Sequence, residues 1–577
     1  MNDRDKKFLI FAFGVGVIAF VPFLVFPRFP VNDFASQFGP MIRSFVDGEW
    51  HYAFDPYLPP LHVVCSGVLA WTGLDAYPTS MMAMGGFHLL GILPVFFLFR
   101  LTHGFRIAAW ATILYVLCPR LIRYGGKAVM DPMVCFFLAV GVCALFYFFY
   151  QKGTMKHAAL TGFAAGGLVL AKEESVLWAV LLLVALVACA FWVGRQRAFP
   201  VGKKALTPLL GVGICLLMIS PWLTYMYART GYPVASLRHV EAVKKLKNEL
   251  TDKEVSHENA EKMEPNTHGV DQRRPPSHQG NGQVQRLLCF SEHNLKLGIG
   301  NTENNSLQHN SQAMLFHSGT ALGTVTEVFV GTNWEDVLEN IFDGFYHVYL
   351  LFAAAGIVLI VRRGHWNSFH HALLFCVIGY LGIHFILRLM LSIPGATDAM
   401  TIHQRHVAVA IPFILGWTAT GIVALYDKLV NLLEKRGYLL QKGVFTMLFA
   451  ALLWDGYVDI RPSLDASERK QKKAIQDCAQ WLRTEGMAMV PDEHPRLQER
   501  LSRSDPVFGE LPIVIGGAPA ISYFAEAERI GVSPWAHPPE KQDERSKKYH
   551  ANFFIWDEAV RDSCQHMVKN HAQRAWH

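Results

Sequence analysis

Charge is what this sequence has least of. Asp, Glu, Lys and Arg together make up 17% of 577 residues, against 51% hydrophobic and 12% aromatic. That balance excludes one large water-exposed globule and points to a polytopic α-helical membrane protein. The formal net charge of +6 would suggest nucleic acid as a partner for a soluble chain. In a membrane protein the placement of Lys and Arg along the loops carries the information instead, and no nucleic-acid partner is expected. Metal-type cysteine spacing is also missing. Of the ten cysteines, Cys118, Cys135, Cys143, Cys189, Cys215 and Cys376 lie in apolar runs and read as core filler. Cys289, Cys478 and Cys564 lie in more polar surroundings, with Cys478–Cys564 as a candidate disulfide. No A-x-A-like site follows the first apolar run, so it reads as a retained span and not as a cleaved signal peptide.

Long apolar runs are what the sequence does have. A spanning helix needs roughly 20 mainly apolar residues to cross about 30 Å of hydrocarbon. That ruler predicts about eleven transmembrane helices, near 8–27, 80–100, 106–119, 132–150, 157–172, 175–193, 205–227, 341–361, 370–390, 406–426 and 443–459. Basic residues then sort the loops. Arg4, Lys6 and Lys7; Arg100 and Arg106; Lys152 and Lys156; Arg195, Arg197, Lys203 and Lys204; Arg362 and Arg363; and Lys428, Lys435, Arg436 and Lys442 all fall on one side. By the positive-inside rule that side is cytoplasmic, with the N-terminus on it.

The opposite face carries most of the polar chain. It holds 28–79 as a first outer loop, a turn at 120–131, the AKEES turn at 171–175, a long insert at 228–340, a loop at 391–405 and everything after about 460. Residues 245–315 are rich in Asn, Gln and His without apolar periodicity, so no fold is assigned to them. The tail differs. AIQDCAQWLRTEG and APAISYFAEAERIG have helical spacing, while LPIVIGG and HANFFIWDEA read as strands. The expected organisation is a transmembrane domain over 1–459 and a small C-terminal extra-membrane α/β domain over 460–577.

Asp33 closes the stretch FPRFPVND, directly after the first span. It precedes FASQFGPMIRSFVDG, whose Phe34, Phe38, Met41, Ile42 and Phe45 form one apolar stripe, the pattern of an interfacial helix. Asp33 is therefore a candidate N-cap as much as a candidate catalyst. Asp131-Pro132 is likewise the ordinary start of a helix. Arg123, Lys127 and Lys172 on outer turns, and Arg405 before the tenth span, are either interfacial anchors or anion ligands. In EWHYAFDPYLPPLH, Glu49, His51, Asp55 and His62 read as polar surface groups or weak ligand candidates. Glu173 and Glu174 read as caps or partners of Lys172, with a substrate role for either as the alternative and Glu173 as the candidate site residue.

These segments have a further meaning when read in order. The loop carboxylate after the first span, PYLPPLHVVCSGVLAWTG, RYGGKAVMDPMVCFFLAVG, AGGLVLAKEESVLWA, SPWLTYMYARTGYP and QRHVAVAIPFILG together resemble the glycosyltransferase C superfamily of membrane glycosyltransferases. Within it the chain is similar to the dolichyl-phosphate-mannose protein mannosyltransferase and lipid A aminoarabinose transferase families. The resemblance covers roughly residues 5–430. It implies a transferase that moves a hexosyl or pentosyl group from a polyprenyl-phosphate-linked donor to a lipid, polysaccharide or protein acceptor, with inversion. The implied place is the outer face of a bacterial-type inner membrane, among membrane lipids.

The resemblance also implies roles. Asp33 would be the general base, because an acceptor hydroxyl needs an aligned proton acceptor to attack the anomeric carbon. Asp131 would face the same cavity as a second catalytic acid. Arg405, Arg123, Lys127 and Lys172 would hold the anionic lipid phosphate, with His62 and Glu173 near the substrate. Relatives often have two adjacent acids in the first loop, whereas this chain has Asn32-Asp33-Phe34; they often have a basic residue before the paired prolines, whereas Leu58 stands before Pro59-Pro60. No cofactor is expected, since two acids without a DxD pair are a thin metal signal. A divalent cation between Asp33 and Asp131 is the alternative. Two other functions stay open: a secondary transporter or flippase, disfavoured by ionisable groups clustered on one face and no repeating halves, and a non-enzymatic envelope assembly protein.

Overall fold

The structure, a computed structural model, describes residues 1–25, 34–150, 154–196, 201–238, 240, 334–391, 404–433, 443, 513–516, 528–530 and 553–555. Asp33, the span expected at 443–459 and most of the insert and tail lie outside these residues. Contacts divide the chain into one unit of Met1–Ala242 with Asn333–His577 and a second of Val243–Thr332. The second unit contains no described residue.

The described part is almost wholly helical. The order is α1 (Asp3–Val25), a π-helical turn (Phe34–Phe38), α2 (Gly39–Val46), α3 (Trp50–Ala53), α4 (Leu61–Ala70), α5 (Ala76–Leu90), α6 (Ile92–His103), α7 (Phe105–Val116), α8 (Pro119–Gly126), α9 (Asp131–Tyr150) and α10 (Met155–Ala171). A 3-10 turn (Glu173–Ser175), α11 (Val176–Gln196) and α12 (Val201–Thr230) follow. Then come α13 (Trp334–Phe345), α14 (His347–Arg362), α15 (Ser368–Leu391), α16 (Gln404–Ala408) and α17 (Ile411–Leu433). Among the described residues six helices are long and apolar enough to cross a membrane, or up to eight if each of two bent pairs counts as one span. The chain is thus a multi-pass helical membrane protein.

Several expected boundaries move, for local reasons. The run near 106–119 is two helices meeting at about 40°, because Cys118 is extended and Pro119 starts the next helix. The run near 341–361 is broken by 83° between Phe345 and His347. Tyr346 stands there with φ 62 and ψ 127, a positive-φ backbone that continues neither helix. The tenth run divides into the short α16 and the long α17. The apolar stripe of 34–45 is buried inside the protein, with Phe34 and Ile42 fully covered, so it covers α4 and α5 where an in-plane interfacial helix was expected.

Helices approach closely where glycines allow it. A Cβ on Gly162 would collide with the backbone of Gly211, joining α10 to α12, and one on Gly356 would collide with the backbone of Trp417, joining α14 to α17. Small residues at such crossings are the usual device of helix association in lipid, where the hydrophobic effect between helices is weak. On α8, Gly125 and Gly126 receive Phe20 and Phe23 of α1 in the same way, fixing that short helix against the first span.

The polar pairings sort by face. At one end Arg100 bonds Asp5 at 3.2 Å, Arg4 lies over Phe105, and Arg106 binds Asp427 through both guanidinium nitrogens at 3.0 and 2.5 Å. At the other, the segments predicted to be outer meet one another: Lys172 with Asp131, Arg238 with Glu173, Arg229 with the carbonyls of His51 and Phe54.

In the tail, LPIVIGG and HANFFIW each contain a strand. β1 (Ile513–Gly516) lies between β2 (Glu528–Ile530) and β3 (Phe553–Ile555), parallel to both. β2 falls at the end of the run predicted as a helix, whose remainder lies outside the described residues.

Candidate active site

The helix α8 sets up one wall. Its sequence PRLIRYGG gives it two faces: Leu121, Ile122, Gly125 and Gly126 are buried, while Arg120, Arg123 and, just past its end, Lys127 recur three and four residues apart on the other side. Arg123 and Lys127 are half-buried. Arg120 is 8% exposed, and its guanidinium carbon stands 5.1 Å from the ring centroid of Tyr346. Tyr124, one turn on, lies within electrostatic reach of Arg120.

The turn after α8 leads to the acid. Met130, not Asp131, supplies the carbonyl that accepts from Met133 and Val134, so Asp131 is the first helical residue of α9. There its charge is favoured by the helix dipole. Its side chain is buried, and Lys172 Nζ lies 3.3 Å from Oδ1. Lys172 is extended at the end of α10, which sends its chain back toward α9. The same ammonium is 3.0 Å from Glu174 Oε2. His406 of α16, fully buried, places Nε2 3.8 Å from that oxygen. Glu173 points elsewhere, to Arg238 Nη1 at 2.5 Å.

The first outer loop is fastened beside this cluster. Arg229 at the end of α12 donates to the carbonyl oxygens of His51 and Phe54 and to the Tyr225 hydroxyl. Ser236 donates to the Tyr57 carbonyl and the Leu237 amide to that of Pro56. The Phe34 ring lies 5.0 Å from that of Tyr77, tilted by 58°, and both share a buried cluster with Ala128. The residue that follows Asp33 and the residue that follows Lys127 therefore belong to one buried cluster.

The structure brings Asp131, Lys172, Glu174 and His406 into one cluster and puts Arg123 and Lys127 on the helix that leads to it. Arg405 lies in α16 beside His406; its side chain, like the whole of Asp33, is outside the described residues. His62 is not at this cluster. It is fully buried, with Nε2 2.5 Å from Ser80 Oγ and its ring 4.5 Å from Phe38, and burial lowers its imidazole to about 3. Glu49, His51 and Asp55 belong to the fastened loop. Among the described residues no group of three or more His, Cys, Asp or Glu could hold a metal ion. The pair Asp33 and Asp131 falls outside that test.

Three residues escaped the reading of the sequence. Arg120 was legible, since RLIRYGGK repeats its cations at the spacing of one helix face. His406 and Tyr346 were not: a His beside an Arg and a Tyr inside an apolar run carry no local mark.

A buried and a half-buried acid bridged by a buried lysine, beside a cationic helix, give this multi-pass membrane protein a polar site. Known proteins resemble this chain in part of its sequence and in its fold. A family model for dolichyl-phosphate-mannose-protein mannosyltransferase matches residues 79–231, which include α8, Asp131, Lys172 and Glu174. The archaeal oligosaccharyltransferase AglB from Archaeoglobus fulgidus, in complex with an inhibitory peptide and a dolichol-phosphate, is similar in structure. It has a TM-score of 0.50 and 12% identity over 100% of this chain and 72% of that one. ArnT from Cupriavidus metallidurans in the apo state has a TM-score of 0.50 and 13% identity over 96% of this chain and 90% of that one. No curated protein sequence matches. The expected likeness to the dolichyl-phosphate-mannose-protein mannosyltransferases is thus found over residues 79–231, and the fold is similar to those of AglB and ArnT.

Proposed function

We propose that the chain is a membrane glycosyltransferase that takes a sugar from a polyprenyl-phosphate donor and transfers it, with inversion, to an acceptor hydroxyl at the outer membrane surface. The acceptor oxygen attacks the anomeric carbon, its proton passes to the Asp33 carboxylate, and the bond from that carbon to the phosphate oxygen breaks with its electron pair leaving on the lipid phosphate. Arg123, Lys127 and Arg405 meet the charge that grows on the leaving phosphate. Asp131 and Glu174 hold Lys172 in line, and Lys172 supplies beside Asp131 the positive charge that a divalent cation would otherwise bring. That favours metal-independent transfer. Glu173 is a structural partner of Arg238 in this reading.

The observation that carries the proposal is the shared cluster of Phe34 and Ala128, which ties the chain next to Asp33 to the turn between Lys127 and Asp131. The AglB relative holds a dolichol-phosphate, which fits a lipid-phosphate donor here. The finer architecture belongs to the same proposal: eleven spans, the N-terminus in the cytoplasm, and the insert 228–340 and an α/β domain over 460–577 outside. Secondary transport and a purely structural envelope role remain the competing functions.

The test is mass spectrometry of envelope glycans and glycolipids from cells lacking the protein, complemented with the wild type or with Asp33→Asn. The wild type should restore a hexose- or pentose-bearing species that the variant does not restore at equal membrane abundance. Full restoration by Asp33→Asn would remove Asp33 from the chemistry.

A further inference from the structure

We propose that Tyr346 and Ala128 are positioning residues: two backbone joints in an unfavourable conformation that hold the cationic face of α8 in aim at a lipid phosphate. The proposal rests on the phosphate reading of α8 above and goes beyond it by assigning residues that touch no substrate. Among the described residues, Ala128 (φ 55) and Tyr346 (φ 62) are the non-glycine residues with positive φ. Such backbone persists only where the surroundings impose it, and it gathers at functional sites. Both joints meet α8.

Ala128 closes the helix. Its amide donates to the Gly125 carbonyl at 3.1 Å and the Val129 amide to that of Tyr124 at 3.3 Å. Those two bonds form the motif that ordinarily places glycine at the left-handed position. The chain has glycines at 125 and 126, three and two residues too early, and puts alanine where a glycine would cost nothing. The methyl has a use. It is 1% exposed and packs in the cluster of Phe34, Tyr77 and Met81, so the turn that carries Lys127 is keyed to the first outer loop.

Tyr346 works at the other end of the same helix. It sits at the 83° break before α14, where the positive-φ backbone turns its ring, 7% exposed, under the Arg120 guanidinium. The ring is braced by Tyr349 at 5.7 Å, whose hydroxyl donates to the Leu114 carbonyl at 3.0 Å. Two residues earlier Gly344 lies so close to Val407 that a Cβ would collide with its side chain, which couples the break to α16 and its Arg405. A ring under the guanidinium attracts it without neutralising it, unlike a carboxylate. Arg120 thus stands behind Arg123 and Lys127 on one side of α8. Like charges stacked on one helix face repel one another, so both ends of the stripe need fastening.

The experiment measures binding of undecaprenyl phosphate to the purified full-length protein in detergent, with thermal unfolding of each variant alongside. Tyr346→Phe keeps the ring and should bind like the wild type. Tyr346→Leu keeps the backbone demand but loses the ring and should bind about fivefold to tenfold more weakly. Combined with Arg120→Ala, Tyr346→Leu should add little, because the two losses are one. Ala128→Gly exchanges relief of strain for loss of a buried methyl. It should unfold within a few degrees of the wild type and still bind at least threefold more weakly. Wild-type binding by Tyr346→Leu, equal loss in Tyr346→Phe, or wild-type binding by Ala128→Gly would each overturn the proposal. Unchanged binding in Arg120→Ala, Arg123→Ala and Lys127→Ala alike would instead overturn the phosphate reading, and the positioning roles with it.

Discussion

Lys172 Nζ lies 3.3 Å from Asp131 Oδ1 and 3.0 Å from Glu174 Oε2, so one buried ammonium serves two carboxylates drawn from different helical segments. Taking charges out of water is costly, and removing one partner of such a set leaves the others uncompensated. Lys172→Met should therefore destabilise the protein by about 3–5 kcal/mol. Asp131→Asn in the same chain should recover part of that loss, because one of the two stranded charges is then gone. Thermal unfolding of the four proteins of this cycle in detergent checks it. Additive losses would mean that the two side chains do not share their energy.

Arg405 precedes the buried His406, which faces Glu174 at 3.8 Å. If Arg405 meets the donor phosphate, Arg405→Ala removes a charge-assisted partner worth about 1.5–3 kcal/mol. The expected result is a donor KM raised roughly tenfold or more with unfolding temperature unchanged, and a worse defect for Arg405→Glu. A donor KM equal to that of the wild type would assign the phosphate to α8 alone.

His62 offers a pH signature. Burial holds its imidazole near 3 in the folded protein, against about 6.5 in an unfolded chain. Above pH 6.5 both states carry it neutral and it contributes no pH dependence. As pH falls from 6.5 toward 3, the unfolded chain takes up a proton that the folded chain refuses. Stability then drops by up to about 1.4 kcal/mol per pH unit. His62→Gln, which can still bond Ser80, should flatten this acid slope between pH 6 and 4 in thermal unfolding. An unchanged slope would place the acid sensitivity elsewhere.

How much of this was readable from residues alone follows the physics of each signal. Spans were legible because a bilayer demands long apolar runs, and α9, α11 and α12 start and end within a few residues of expectation. Breaks were not, because Tyr346 inside an apolar run gives no hint that its backbone reverses there. Asp131 and Lys172 were legible as polar residues at an outer turn, yet their pairing across 41 positions depends on how α9 and α10 pack. The two glutamates of AKEES look equivalent in sequence. Only the fold sends Glu173 to Arg238 and Glu174 to Lys172. His62 was legible as a candidate ligand and turned out buried against Ser80, since a helix face buried by α2 and α5 leaves no local trace.

Topology underlies the whole mechanism, because a shared site requires Asp33, Asp131, Lys172 and Arg405 on one face. The pairings of Lys172 with Asp131 and of His406 with Glu174 bring the predicted outer turns at 120–131 and 171–175 together with the outer start of the tenth span. The pairings of Asp5 with Arg100 and of Arg106 with Asp427 bring the predicted inner ones together. Which of these faces is the cytoplasmic one rests on the Lys and Arg bias of the short loops. Long loops translocate largely regardless of charge, so the insert does not enter that argument. Single cysteines at Ala260→Cys and Ser546→Cys, in a variant lacking the native reactive thiols, should both react with an impermeant maleimide on intact cells. A cysteine at Lys6→Cys should react only after the membrane is permeabilised. Protection of residue 260 or 546 in intact cells would mean an odd number of missed or invented spans upstream, and the carboxylate base and its phosphate ligands could then not share one side of the bilayer.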